Sequence, residues 1–179
     1  MLTKTSLTTT PMILSKTSGQ SGTSLIEATV AACTAALFLG SLFTMNMTAM
    51  RTMRTAREAA NASQVLQQRV EALRIANWHQ VTNADWLTAN LLNTSAAGGD
   101  ALRNMTETLT LVPYEGTSSG NTQIVRSGGT TQIVNRNTNL LKEHAMKVIW
   151  TVAYNGGAQG QATTRQTVAV LAKGGVAKW

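Results

Sequence analysis

Hydrophobic positions along this chain follow three regimes. Residues 1 to 22 are rich in Ser, Thr and Lys, with one short apolar patch at Met12, Ile13 and Leu14. From Leu25 to Met50 apolar residues dominate and Glu27 is the only charge. At 1.5 Å per residue a helix of those 26 residues measures about 39 Å, against about 30 Å of hydrocarbon core, so it can span a bilayer with some tilt.

Beyond a basic edge at Arg51, Arg54 and Arg57 the period becomes helical and amphipathic. Ala59, Ala62, Leu66, Val70, Leu73 and Ala76 recur at spacings of three and four, while Arg57, Gln64, Gln68, Glu71 and Arg74 fall largely on other faces. No proline stands between Met12 and Val112. The pattern predicts one helix from about Leu25 to Asn77, roughly 80 Å long, whose second half needs a surface on which to bury its stripe.

That surface follows a connecting region. Within residues 78–104, "NADWLTANLL" predicts a short capped helix and "SAAGGD" a loop. From Met105 the period drops to two in "MTETLTLV". "TQIV" then occurs twice, at Thr122 to Val125 and Thr131 to Val134, around Gly128 and Gly129, the pattern of a hairpin. "MKVIWTVAY" and "TRQTVAVLA" flank the Gly-rich "NGGAQGQAT" in the same way. The expected fold is α+β, with one long N-terminal helix, membrane half plus amphipathic half, packed on a small C-terminal antiparallel sheet. The expected division is 1–22 leader, 23–50 membrane helix, 51–77 amphipathic half-helix, 78–104 connection and 105–179 sheet.

Charge changes this picture little. Fifteen Lys and Arg against eight Asp and Glu give +7 over 179 residues; without residues 1–22, which hold Lys4 and Lys16, the balance is +5. The cations are scattered, which reads as a solvated surface and not as a nucleic-acid footprint. Cys33 is the only cysteine, so no internal disulfide can form. It lies in the apolar segment, far along the chain from His79 and His144, and neither histidine has a second metal ligand nearby. Trp78, Trp86, Trp150 and Trp179 read as packing residues rather than a base-stacking platform. No phosphate loop, Ser-His-Asp order or paired-carboxylate pattern stands out, so neither enzyme activity nor a resident cofactor is expected.

Glu27 remains to be explained. An isolated carboxylate near the edge of a span costs about 1 to 3 kcal/mol on insertion scales, and no basic side chain lies within two turns of it. A secretory signal peptide has a shorter apolar core, with its small-residue cut after that core and not before. If the chain is cut after Gly22, the new Thr23 ammonium lies in the same helical turn as Glu27, and a helix N-terminus itself favours a nearby carboxylate.

Gly22 followed by "TSLIE" resembles the leader cleavage site of type IV pilins and type II secretion pseudopilins. The match covers Gly22, Ser24, Leu25, Ile26 and Glu27, then the apolar helix and its basic, amphipathic continuation. Thr23 stands where Phe or Met is more common. The resemblance implies cutting between Gly22 and Thr23 by a prepilin peptidase at the cytoplasmic side of a bacterial inner membrane. It also implies methylation of the Thr23 amine from S-adenosylmethionine. Ser24, Leu25, Ile26 and Glu27 would be read during assembly, with Glu27 meeting the Thr23 amine of a neighbouring subunit.

The implied partners are the peptidase, other pilin or pseudopilin subunits, an inner-membrane assembly platform and the membrane, with the globular part periplasmic. "SLIEATVAA" with "AREAANASQVLQQRVEALR" looks most like V-type minor pilins or I-type minor pseudopilins. The disulfide loop of many major pilins cannot form, no carboxylate follows Glu143 to build the calcium site of major pseudopilins, and Gly40 is the only helix breaker in the membrane half. Two other readings stay open: a DNA-uptake or adhesive tip pilin, and a plain bitopic anchor, which positive-inside counting favours because three arginines follow the span.

Overall fold

The structure, a computed structural model, describes residues 23–114, 120–157 and 160–174, apart from the Thr23 side chain. The expected leader at 1–22 and Trp179 lie outside the described residues. Helix α1 runs over Thr23–Ile75, 53 residues, and ends with Arg74 in its last turn, where a cation meets the partial negative charge of the terminal carbonyls. It stops two residues short of the expected Asn77, because the Asn77 side chain accepts the Gln80 amide and caps the next helix instead. Two compact units divide the chain, Met1–Asn46 and Met47–Trp179.

In the second unit the buried line on α1 is Glu58, Ala62, Val65, Leu66, Arg69 and Leu73. Ala59, Val70 and Ala76, expected in the stripe, are half-buried at its margin. Each fully buried aliphatic side chain contributes about 1.5–3 kcal/mol, and Val65 and Leu73 supply that on one line. The line also carries two charges, which the fold must answer with partners.

The connection from Trp78 to Leu102 closes one end of the core. Helix α2, Trp78–Val81, has a reciprocal capping box between Asn77 and Gln80. Helix α3, Ala84–Trp86, is capped by the Asn83 side chain, which accepts from Asp85 and Trp86. A single wide turn at Leu87–Leu91 then follows. Val81, Ala84, Leu87, Leu91 and Leu92 are all buried. The expected loop at 95–100 lies against α1: Gln68 Oε1 accepts the Ala97 amide at 2.7 Å. Next to it Gly98 takes φ +86 with its missing Cβ only 3.3 Å from the Asn61 carbonyl, a place open to glycine alone.

Five antiparallel strands form one sheet in the order β3-β2-β1-β4-β5: β1 Arg103–Pro113, β2 Thr122–Ser127, β3 Thr130–Asn135, β4 Ala145–Gly156 and β5 Gln161–Ala172. The two expected hairpins are both present. Gly128 and Gly129, at φ +57 and +83, turn β2 into β3 with the left-handed pair that a two-residue hairpin loop demands. Alternation sorts the faces: Leu109, Leu111, Ile124, Val148, Trp150 and Val152 are buried, while Thr108, Thr110, Lys147 and Thr151 lie on the opposite, wetter face. The architecture is the α+β, pilin-like layout of one long helix and an antiparallel sheet.

Candidate functional site

The candidate recognition segment opens α1. Ser24, Leu25, Ile26 and Glu27 are helical and exposed, Leu25 and Ile26 by 73% and 66%. Glu27 shares one face with Ile26, Val30 and Ala31. Among the described residues no cation pairs with its carboxylate. Gly22, on the other side of the expected cut, lies outside the described residues.

Everything from Ser24 to Arg57 is exposed, including Leu37, Phe43 and Met50 at 77%, 69% and 64%. Among the described residues, α1 supplies the helix long and apolar enough to cross a membrane, near the N-terminus and with none of its apolar window buried. Its hydroxyls are turned inward on their own backbone. Thr29 donates to the Ile26 carbonyl at 2.8 Å, Thr34 to Val30 at 2.7 Å, Ser41 to Phe38 at 2.7 Å and Thr44 to Ser41 at 2.8 Å. A hydroxyl satisfied inside its own helix presents little unmet polarity to an apolar surround.

Three carboxylates of the second unit are buried, Glu107, Glu58 and Glu143, and pattern reading singles out none of them. Glu107 on β1 holds one edge of the Arg69 guanidinium, accepting from Nε at 2.9 Å and from Nη2 at 3.0 Å. Arg69 also donates to the Leu91 carbonyl and to the Thr94 carbonyl at 2.7 Å, and lies 5.9 Å from the Trp150 ring centroid. Arg126 on β2 adds a third contact to Glu107 at 3.3 Å. Every donor that Arg69 spends goes to an element other than its own helix, so the cluster fixes α1, the 87–94 segment and the sheet together. The sequence signal was present: Arg69 falls three residues after Leu66 and four before Leu73, a charge on the apolar line.

Glu58 is the second. Its Oε1 accepts Arg54 Nε at 2.9 Å and its Oε2 accepts the Gly157 amide at 2.7 Å. The Gly157 hydrogen bond, opposed by burial and helped by Arg54, holds the carboxyl below the usual carboxylate range. At the surface, Arg136 and Asp85 form a bidentate pair. That pairing lowers the Asp85 pKa and raises that of Arg136.

His79 and His144 are exposed, and among the described residues no group of three or more His, Cys, Asp or Glu side chains could hold a metal ion. Trp150 is fully buried, and Trp78 and Trp86 pack partly buried against the core. The Arg69–Glu107 and Glu58–Gly157 contacts fasten the helix to the sheet and to its hairpin. No protein-family model, curated protein or solved structure matches the chain.

Proposed function

We propose that this chain is a structural subunit, of the minor kind, in a type IV pilus or type II secretion pseudopilus. A prepilin peptidase removes residues 1–22, and α1 carries the mature chain first into the inner membrane and then into a filament. The observation that carries this reading is a conjunction. The Thr-Ser-Leu-Ile-Glu run that follows Gly22 opens an apolar helix with no protein cover, and the same helix continues into the buried line of an α+β unit.

Each part of α1 then has work suited to its chemistry. The exposed apolar residues from Leu25 to Met50 suit lipid and, later, the same helices of neighbouring subunits. Glu27, costly in lipid when alone, gains a partner in the freed amine at Thr23. An ion pair of that kind sets register more than it adds stability. The globular unit would stand on the periplasmic side.

Mass spectrometry of the chain from cells with an active prepilin peptidase tests the reading. The mature protein should begin at Thr23, and a bulky residue in place of Gly22 should leave the leader attached. A chain that keeps residues 1–22 in such cells is instead a plain bitopic anchor.

A further inference from the structure

Strand β5 ends the sheet, and among the described residues only β4 pairs with it. One hydrogen bond fixes which of its main-chain groups are spent. The Lys173 amide donates to the His144 carbonyl at 2.7 Å, in step with Ala172 opposite Ala145 and a register unbroken to Gly156 opposite Gln161. Along an antiparallel strand the N–H and C=O groups face alternate neighbours at alternate residues. Arg165, Thr167, Ala169 and Leu171 therefore bond to β4, while Thr164, Gln166, Val168 and Val170 turn theirs outward, where among the described residues no strand pairs with them.

Free edges are usually blunted by proline, bulges or repeated charge. β5 has no proline, its pairing shows no register shift, and Arg165 is its one charge. Val168 and Val170 are 51% and 53% exposed. The other side of this edge is hollow. A cavity of about 280 Å³ is lined by Leu66, Val70, Glu71, Arg165 and Thr167, and another of about 780 Å³ by Leu73, Trp78, Val81, Val170 and Leu171. A further strand, about 4.8 Å beyond β5, would send alternate side chains into this seam between the sheet edge and α1.

Charge narrows the occupant. Among the described residues no carboxylate pairs with Arg165; Glu71, in the same cavity, is held by Arg74 at 2.9 Å. We propose that the β5 edge accepts an extended strand from a different polypeptide, with apolar side chains alternating toward α1 and a carboxylate opposite Arg165. A second copy fits less well, because its β3 edge, "TTQIVN", offers no carboxylate and its β5 edge brings a second Arg165. The proposal does not rest on the filament reading.

The probe is a terminally blocked peptide, Thr-Val-Thr-Glu-Thr-Val-Thr-Val, titrated into the full chain in detergent micelles and read by anisotropy and amide exchange. Saturable binding should slow exchange at Thr164, Gln166, Val168 and Val170 and leave Arg165, Thr167 and Ala169 unchanged. A Lys in place of the peptide Glu should weaken binding roughly five- to ten-fold. Val168→Pro removes one outward N–H without touching the β4 ladder and should abolish binding; Arg165→Glu should reverse the preference to the Lys peptide. Should Val168→Pro fail to fold, the charge reversal decides. No saturable binding, equal binding of both peptides, or concentration-dependent protection of the same amides without peptide, the mark of a second copy at this edge, each overturns the proposal.

Discussion

Glu58 on α1 and Gly157 in the β4–β5 turn are joined by one hydrogen bond of 2.7 Å across 99 residues of chain. The helix thereby grips the hairpin at its bend, and the grip is ionisable. Because the Glu58 pKa is lowered in the folded chain, its contribution is present above the ordinary carboxylate value of 4.5 and is lost as pH falls through the lowered one.

Glu58→Gln should therefore destabilise the full chain in detergent by about 1–3 kcal/mol at neutral pH. The gap from the parent should shrink in acid, as the parent carboxylate takes up its proton. Denaturant unfolding of both chains down through the carboxylate range measures this. A gap independent of pH would show that the charge adds nothing beyond the amide-like hydrogen bond.

Arg69→Met strands Glu107 in the core with only the longer Arg126 contact, and a cost of about 3–5 kcal/mol is expected. Replacing Glu107 by Met as well removes the stranded charge. The double variant should be more stable than Arg69→Met alone, a non-additivity that a double-mutant unfolding cycle reads directly.

Much of this was legible in the chain. The proline-free run predicted α1, the Gly128-Gly129 pair predicted its hairpin, and "NADW" predicted a capped helix because each is a local, main-chain preference. Ala62, Leu66 and Leu73 of the expected stripe lie on the buried line, but Ala59 and Val70 stand where Glu58 and Arg69 are buried, because hydrophobicity counting discards a charge. The return of Glu107 from β1, 38 residues later, with the Leu91 and Thr94 carbonyls, makes a buried guanidinium tolerable, and pairing at such separations leaves no periodic trace. The β5 edge was equally silent, since strand order depends on which strands find which neighbours.

A chain beginning at Arg51 should fold cooperatively on its own, since the core residues all belong to the unit from Met47 onward. Circular dichroism and a single sigmoidal melt would establish it. A product that is helical without β structure would mean that the sheet needs the preceding helix.

Glu27→Gln keeps the shape of the side chain and removes its charge. Insertion into the membrane should be unchanged or slightly better, and cutting after Gly22 should persist. Copurification with filament partners, at equal membrane level, should fall. Undiminished recovery would assign Glu27 some role other than pairing with a subunit amine.

The hydroxyls folded back along α1 bear on its mechanics. Each of the Ile26, Val30, Phe38 and Ser41 carbonyls accepts a side-chain hydroxyl in addition to its place in the i→i−4 ladder. A shared acceptor lengthens and weakens its main-chain bond, and helices bend at such points. Spread over Thr29 to Thr44, these softened steps make the segment compliant along its length, so curvature can be taken up in small increments with no hinge and no broken turn. Faster exchange at Val30, Thr34, Leu42 and Met45, the amides that those four carbonyls accept, than at Ala35 to Leu37 would register that compliance.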